Sequence, residues 1–150
     1  RITEDAVKKG LENVKLKGRL QIICKEPTIV LDSAHNPAGL KVLREALTNG
    51  FQYKRLILVF GAMADKDIKG MLSYIAPVAD VVILTVPDTH RAAKGDTLIS
   101  LAKLFAKRTR LVEDVREAYR FAKSIAKKDD LICVTGSFYT VGEVLSNLKV

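Results

Sequence analysis

Two kinds of stretch alternate along the chain. Residues 55–60, 81–86 and 131–135 are short, nearly unbroken apolar runs; the segments between them repeat apolar residues every three or four positions. The runs have strand length and no polar alternation, which predicts strands buried on both faces of a parallel sheet. The periodic segments predict helices. Leu40, Leu43 and Leu47 share a face of a helix that Asn36 and Pro37 open and Asn49-Gly50 closes. Ile68, Met71, Leu72 and Ile75 line a helix over 65–76, with Pro77 as its stop. Further helices are predicted over 96–107 (Leu98, Leu101, Ala102, Phe105), 114–126 and 140–148. Thr3 can cap a first helix reaching about Val14, and a basic link, Lys15-Leu-Lys-Gly18, follows it. Residues 19–24 and 28–31 read as strands joined by the turn Lys25-Glu26-Pro27, and 109–112 as a short strand.

Strand–helix alternation at this rhythm predicts an α/β, Rossmann-like fold. The sheet is expected to be mostly parallel and six-stranded, with helices on both faces and a hairpin-like antiparallel edge at the N-terminus. No internal repeat is visible. In such sheets ligands gather at the carboxyl ends of the strands, near the point where the winding reverses.

Composition narrows the function classes. Of 150 residues, 48% are apolar and 28% charged, which suits one ordered domain. No apolar run approaches the about 20 residues of a membrane span, and no signal peptide is visible. The chain begins with Arg1 rather than Met, which suggests a piece of something longer. Cys24 and Cys133 lie in strand-like surroundings without metal spacing and read as small buried hydrophobes in a reducing cytoplasm. The net charge of +8 comes from Lys8, Lys9, Lys15, Lys17 and Arg19, and from residues 103–128. In the second cluster Glu113, Asp114 and Glu117 interleave with the cations, as on a solvated helix face. Aromatic residues are 6% and do not interleave with the basic ones, which disfavours a nucleic-acid surface. Part of the charge can instead serve a small polyanion such as a nucleotide phosphate.

Three strand ends can carry chemistry. In Ile29-Val-Leu-Asp-Ser-Ala-His-Asn-Pro-Ala-Gly39, Asp32 leaves the strand while His35 and Asn36 stand at the mouth of the next helix. A helix N-terminus offers free N–H groups and positive dipole to an anion, Asp32 can accept from ribose hydroxyls, and His35 can donate to phosphate or carboxylate oxygens. The alternative is an Asx turn plus a cap, with His35 merely exposed. In Phe60-Gly-Ala-Met-Ala-Asp-Lys-Asp67, Gly61 permits a turn or a close ligand, and Asp65 can cap the helix that follows. In Val134-Thr-Gly-Ser-Phe-Tyr-Thr-Val-Gly142, the Ser137 hydroxyl and nearby N–H groups can hold a carboxylate, or the turn is an ordinary strand-to-helix junction. There is no G-x-x-x-x-G-K-[ST] and no G-x-G-x-x-G, His35 and His90 have no metal spacing, and no Ser–His–Asp order stands out.

Leu31-Asp-Ser-Ala-His-Asn-Pro-Ala-Gly39 resembles the Asp-Gly-Ala-His-Asn-Pro signature of the folylpolyglutamate and dihydrofolate synthases of the Mur ligase superfamily. In order along the chain, five further segments resemble elements of that family. They are Ala6-Val-Lys-Lys-Gly-Leu11, Gly18-Arg-Leu20, Phe60-Gly-Ala-Met-Ala-Asp-Lys-Asp67, Thr85 with Arg91-Ala92, and Thr135-Gly-Ser-Phe-Tyr139. Ser33 stands where the family has Gly, Lys17 where it has Pro, and Phe138 where the last motif has Leu. The resemblance implies that residues 1–18 are the tail helix and linker of a preceding central domain, and that 19–150 are the C-terminal domain of an ATP-dependent ligase. Such a ligase adds L-glutamate to a folate-type (pterin) carboxylate through an acyl phosphate. The central domain is expected to carry the P-loop and the Mg²⁺ ligands, so this piece alone should be inactive. By the same resemblance Arg19, Asp32, His35 and Asn36 bind ATP, His35 is catalytic, and His35 with Ser137 binds glutamate. A sister ligase of the cyanophycin or peptidoglycan-precursor type, or a stand-alone nucleotide- or nucleic-acid-binding module, are the alternatives.

Overall fold

The computed structural model describes residues 2–14 and 16–148. Arg1, Lys15 of the basic link, Lys149 and Val150 lie outside the described residues. The elements run α1 (Glu4–Glu12), β1 (Gln21–Lys25), β2 (Thr28–Leu31), α2 (Pro37–Gly50), β3 (Leu56–Phe60), α3 (Ile68–Ile75), β4 (Val81–Leu84), α4 (Gly95–Ala102), β5 (Thr109–Leu111), α5 (Val115–Ile125), β6 (Leu131–Thr135) and α6 (Phe138–Leu148).

The strands form one six-stranded sheet in the order β1-β2-β6-β3-β4-β5. Only β1 pairs antiparallel, with β2; every other neighbour is parallel. The fold is therefore the Rossmann-like α/β sheet that the periodicity predicts, with its antiparallel edge. The apolar runs have no alternation because both faces are covered. Leu56, Leu58 and Phe60 of β3 pack with Leu40, Leu43 and Leu47 of α2, Met71 and Leu72 of α3, and Leu98 of α4. Ile57 and Val59 pack on the other face with Val115, Ala118 and Ala122 of α5 and Val141 and Val144 of α6. Cys133 is fully buried, and burial pushes its thiol well above the usual range, which fits a small core hydrophobe.

Several boundaries move from the expected ones, each for a local reason. Strand β1 begins at Gln21 rather than at residue 19, because Leu20 adopts φ +44°, which extended backbone excludes. Helix α3 starts at Ile68, and its cap is Asp67, whose Oδ1 accepts from the Gly70 N–H at 2.9 Å. Asp65 does not cap it; its carboxylate faces Lys66 at 3.7 Å and Arg91 at 3.9 Å. Pro77 tightens the chain after α3 into a 3-10 turn over Ala76–Val78. Helix α4 ends at Ala102, where the bonds from the Leu104 and Phe105 N–H groups shorten to three-residue spacing. Helix α6 begins two residues early, at Phe138, because Ser137 rather than Thr140 opens it.

The amino ends of the central strands are clamped by a partly buried ion pair, in which Asp130 is buried and Arg55 about a third exposed. Arg55 Nη2 meets Asp130 Oδ2 at 2.5 Å, and the Lys127 N–H donates to the same oxygen at 2.7 Å. Burial alone raises the Asp130 carboxyl, but these donors outweigh it and hold the group below its ordinary value. The basic residues of 103–128 behave as a solvated face. Arg116, Arg120 and Lys123 of α5 are exposed, Lys123 lies over Tyr119, and Arg110 lies over Phe121.

Candidate functional site

Helices α2, α3 and α4 lie on one face of the sheet, and α5 and α6 on the other. The winding reverses beside β6, so the carboxyl ends of β2, β6 and β3 open onto the crevice where this class of fold takes ligands. Three segments are bound together there. The Asp32 N–H donates to Val134 O at 3.0 Å, the Gly136 N–H to Ala34 O at 3.2 Å, and the Gly61 N–H to Thr135 O at 3.2 Å.

A cleft of about 420 Å³ at this edge is lined by Arg19, Leu20, Asp32, His35, Asn36 and the first turns of α2. Asp32 gathers it. Its Oδ1 accepts from the Ala34 N–H at 2.9 Å and its Oδ2 from the Leu20 N–H at 2.9 Å. One carboxylate thus fixes both the loop after β2 and the segment that leads into β1. The Ser33 N–H adds a 2.7 Å bond to Gly18 O. Gly18 has φ +68°, and a Cβ there would lie 2.8 Å from Ser33 Oγ, so a side chain would be strained and would displace Ser33. Leu20 is held in the left-handed region at a cost of about 1–2 kcal/mol, which its bond to Asp32 helps offset.

Asn36 caps α2 by accepting from the Gly39 N–H at 2.7 Å, and Pro37 follows at the first helical position. Asn36, Ala38 and Gly39 of this helix start line the cleft, where the positive end of the helix dipole favours an anion. His35 is half-buried, with Nδ1 at 3.0 Å from Ser33 O. A carbonyl oxygen only accepts, so Nδ1 carries the proton and Nε2 is the ring's free working atom. The His35 ring packs against Phe138 with centroids 5.3 Å apart, and the Arg19 guanidinium carbon stands 5.9 Å from the centre of the same Phe138 ring.

Arg19, Asp32, His35 and Asn36, four of the residues expected to bind ligand, therefore share one cleft. The Ser137 side chain does not join them. It is 2% exposed, accepts from the Thr140 N–H at 3.0 Å, and pairs with Thr140 Oγ1 at 2.8 Å. Thr140 donates its own hydroxyl hydrogen to Gly61 O at 3.0 Å, so Ser137 is the donor between the two hydroxyls. With donor and acceptor both used, the Ser137 hydroxyl shapes the turn and is not free for a glutamate carboxylate. The donors left open there are the N–H groups of Phe138 and Tyr139, the first two of α6. Thr85 is likewise internal, donating to Glu113 O at 2.9 Å. Among the described residues no group of three or more His, Cys, Asp or Glu side chains can hold a metal ion.

The family profile described as "Mur ligase, glutamate ligase domain" matches residues 18–138. The chain belongs to that family. As a Mur ligase C-terminal domain it is 33% identical, over 92% of its length, to the dihydrofolate synthase/folylpolyglutamate synthase of Mycobacterium tuberculosis, covering 31% of that protein. Among solved structures, it superposes with a TM-score of 0.91 on M. tuberculosis folylpolyglutamate synthase complexed with ADP and AMPPCP. The sequence identity is 31%, and the match covers 100% of this chain and 36% of the other. A bifunctional folylpolyglutamate synthase/dihydrofolate synthase with Mn, AMPPNP and L-glutamate bound matches with a TM-score of 0.88 and 30% identity, over 99% of this chain and 35% of that one. The Mur ligase domain described here thus spans about a third of the length of these proteins.

Two site residues of this Mur ligase domain carried little signal in the sequence. Leu20 is an ordinary apolar residue whose left-handed backbone, not its side chain, builds the cleft. Phe138 is 53% exposed, and nothing in its residue type marks it as part of the cleft's rim.

Proposed function

We propose that this chain is the C-terminal part of an ATP-dependent ligase that joins L-glutamate to a folate-type carboxylate. The observation that carries the reading is the single cleft in which Arg19, Asp32, His35 and Asn36 meet the N-terminus of α2 at the sheet's carboxyl edge. The ligands named for the matched synthases, adenine nucleotides and L-glutamate, are anions of the kind such an edge takes.

In this reading ATP gives its γ-phosphoryl group to the acceptor carboxylate, forming an acyl phosphate and ADP. The glutamate amine then attacks the acyl carbon, the amide bond forms, phosphate leaves with the C–O bond electrons, and the amine loses a proton. Arg19, whose planar guanidinium matches phosphate oxygens, and the N–H groups of α2 hold nucleotide phosphates. Asp32 keeps Leu20 and Ala34 in place around the nucleotide. His35, with Nδ1 engaged by Ser33 O, presents Nε2 to the glutamate amine and can take its proton as the amide forms. The first N–H groups of α6, in the turn fixed by Ser137, receive the glutamate carboxylate.

ATP chemistry of this kind uses Mg²⁺. In this reading the Mg²⁺ ligands and the P-loop lie in a central domain of the same polypeptide, and no step above runs through them. Residues 1–18 are read as the tail of that domain and its linker. Helix α1 supports this: none of its residues is buried, and Val7 and Leu11 are 48% and 70% exposed. No helix among the described residues is long and apolar enough to cross a membrane. Independently of that, in this reading the full ligase is a cytoplasmic enzyme.

The test is a coupled assay on the full-length protein. With ATP, Mg²⁺, L-glutamate and a folate-type acceptor, it should release ADP and phosphate in step with amide formed, while the 150-residue chain alone forms none. Amide formation with a peptidoglycan-precursor acceptor in place of the pterin would favour the sister ligases.

A further inference from the structure

We propose that Phe138 is a positioning residue of this site, whose ring holds the Arg19 guanidinium and the His35 imidazole at a fixed separation. The inference rests on the nucleotide-and-glutamate reading above. It concerns a residue to which the resemblance assigned no role.

Three independent segments converge on the ring. Arg19 comes from the segment leading into β1, His35 from the loop after β2, and Phe138 from the first position of α6. The His35 ring is tilted 40° to Phe138 at a centroid distance of 5.3 Å, an ordinary geometry for aromatic pairs. The Arg19 guanidinium carbon, at 5.9 Å, is within cation–π range. Phe138 is 53% exposed, belongs to neither hydrophobic core, and meets the site only at its rim, through His35 and Arg19.

The backbone under the ring is rigid. Gly136 takes φ +109°, and the N–H and hydroxyl of Thr140 lock the turn to Ser137 and Gly61. The opposite wall is fixed as well, because Asp32 bonds the Leu20 N–H beside Arg19 and the Ala34 N–H beside His35. Arg19 and His35 thus leave well-held backbone, but their side chains are long or solvent-facing. The flat face of Phe138 is the surface that narrows their rotamers. A Leu at this position offers no quadrupole to a cation and no face to an imidazole. Cations at exposed aromatic faces gain modestly, so the expected effect on nucleotide affinity is about 3- to 10-fold.

The experiment is a double-mutant cycle on the full-length protein with Phe138→Leu and Arg19→Ala. The readouts are the affinity for a non-hydrolysable ATP analogue and the KM and kcat for L-glutamate. NMR follows the His35 ring protons. Phe138→Leu should weaken nucleotide binding about 3- to 10-fold in the wild-type background and by less than about 2-fold when Arg19 is already Ala. It should also move the His35 ring protons downfield by removing the ring current, and Phe138→Tyr should restore both. Additive losses in the cycle, or unchanged His35 resonances, overturn the positioning role. If Arg19→Ala alone leaves nucleotide affinity unchanged, the phosphate role assigned to Arg19 fails instead, and the two failures are told apart.

Discussion

Replacing His35 with Ala in the full-length protein is expected to lower kcat for amide formation on the order of 10²- to 10³-fold while leaving the fold intact. The size follows from the role: a positioned acid–base group typically contributes about 10²- to 10⁴-fold. The insensitivity of the fold follows from the geometry. His35 is half-buried at the cleft, its only hydrogen bond is local, to Ser33 O, and its ring touches the exposed Phe138. No core contact is lost, so thermal unfolding should stay within about 3 °C of the wild type. His35→Asn is informative beside it, since an amide can mimic the Nδ1 hydrogen bond but offers no basic atom at Nε2. Both variants should be equally slow. Near-normal kcat in either would remove His35 from the chemistry, and a large fall in melting temperature would make it a structural residue.

Gly136→Ala is expected to have the opposite profile, with large loss of stability. At φ +109° only Gly is at ease, and an added Cβ would run into the backbone carbonyl of Gly61 on the neighbouring strand end. Neither partner can step aside. The Gly136 N–H is bonded to Ala34 O, Gly61 O receives the Thr140 hydroxyl, and the Gly61 N–H is bonded to Thr135 O. Strained backbone and a displaced strand end together should cost about 3–5 kcal/mol, a large share of the about 5–15 kcal/mol that holds a domain of this size. In urea the midpoint should fall by more than about 1 M with little change in slope. A wild-type midpoint would mean that the turn relaxes freely, and the tight union of β2, β6 and β3 at the cleft would lose its support.

The parts of this molecule that repeat are legible from sequence, and the parts that turn are legible only where a polar cluster marks them. Leu40, Leu43 and Leu47, or the unbroken 56–60 and 131–135 runs, declare their surroundings because burial imposes a period on residue type. Asp32, His35 and Asn36 could be placed because a polar cluster between a buried strand and a Pro-opened helix has few places to go. The cap of α3 was misassigned to Asp65 because a run of Asp-Lys-Asp offers two equivalent caps, and only tertiary contacts draw Asp65 toward Lys66 and Arg91. Ser137 illustrates a different blindness. Residue type states that a hydroxyl can bind a carboxylate, but not that the Thr140 hydroxyl and N–H have already taken it. The left-handed backbone of Leu20 has no sequence signature, since Leu is among the residues least expected there.

Backbone hydrogen exchange of the full-length protein, with and without a non-hydrolysable ATP analogue plus L-glutamate, tests most directly whether this edge of the sheet is the ligand site. The predicted result is slower exchange at the amides of Leu20, Ala34, Gly39 and residues 136–140, and unchanged exchange at Lys127 and Asp130 at the opposite end of the strands. Protection confined to the Lys127–Asp130 end, or none at the loop after β2 under saturating ligand, would contradict it.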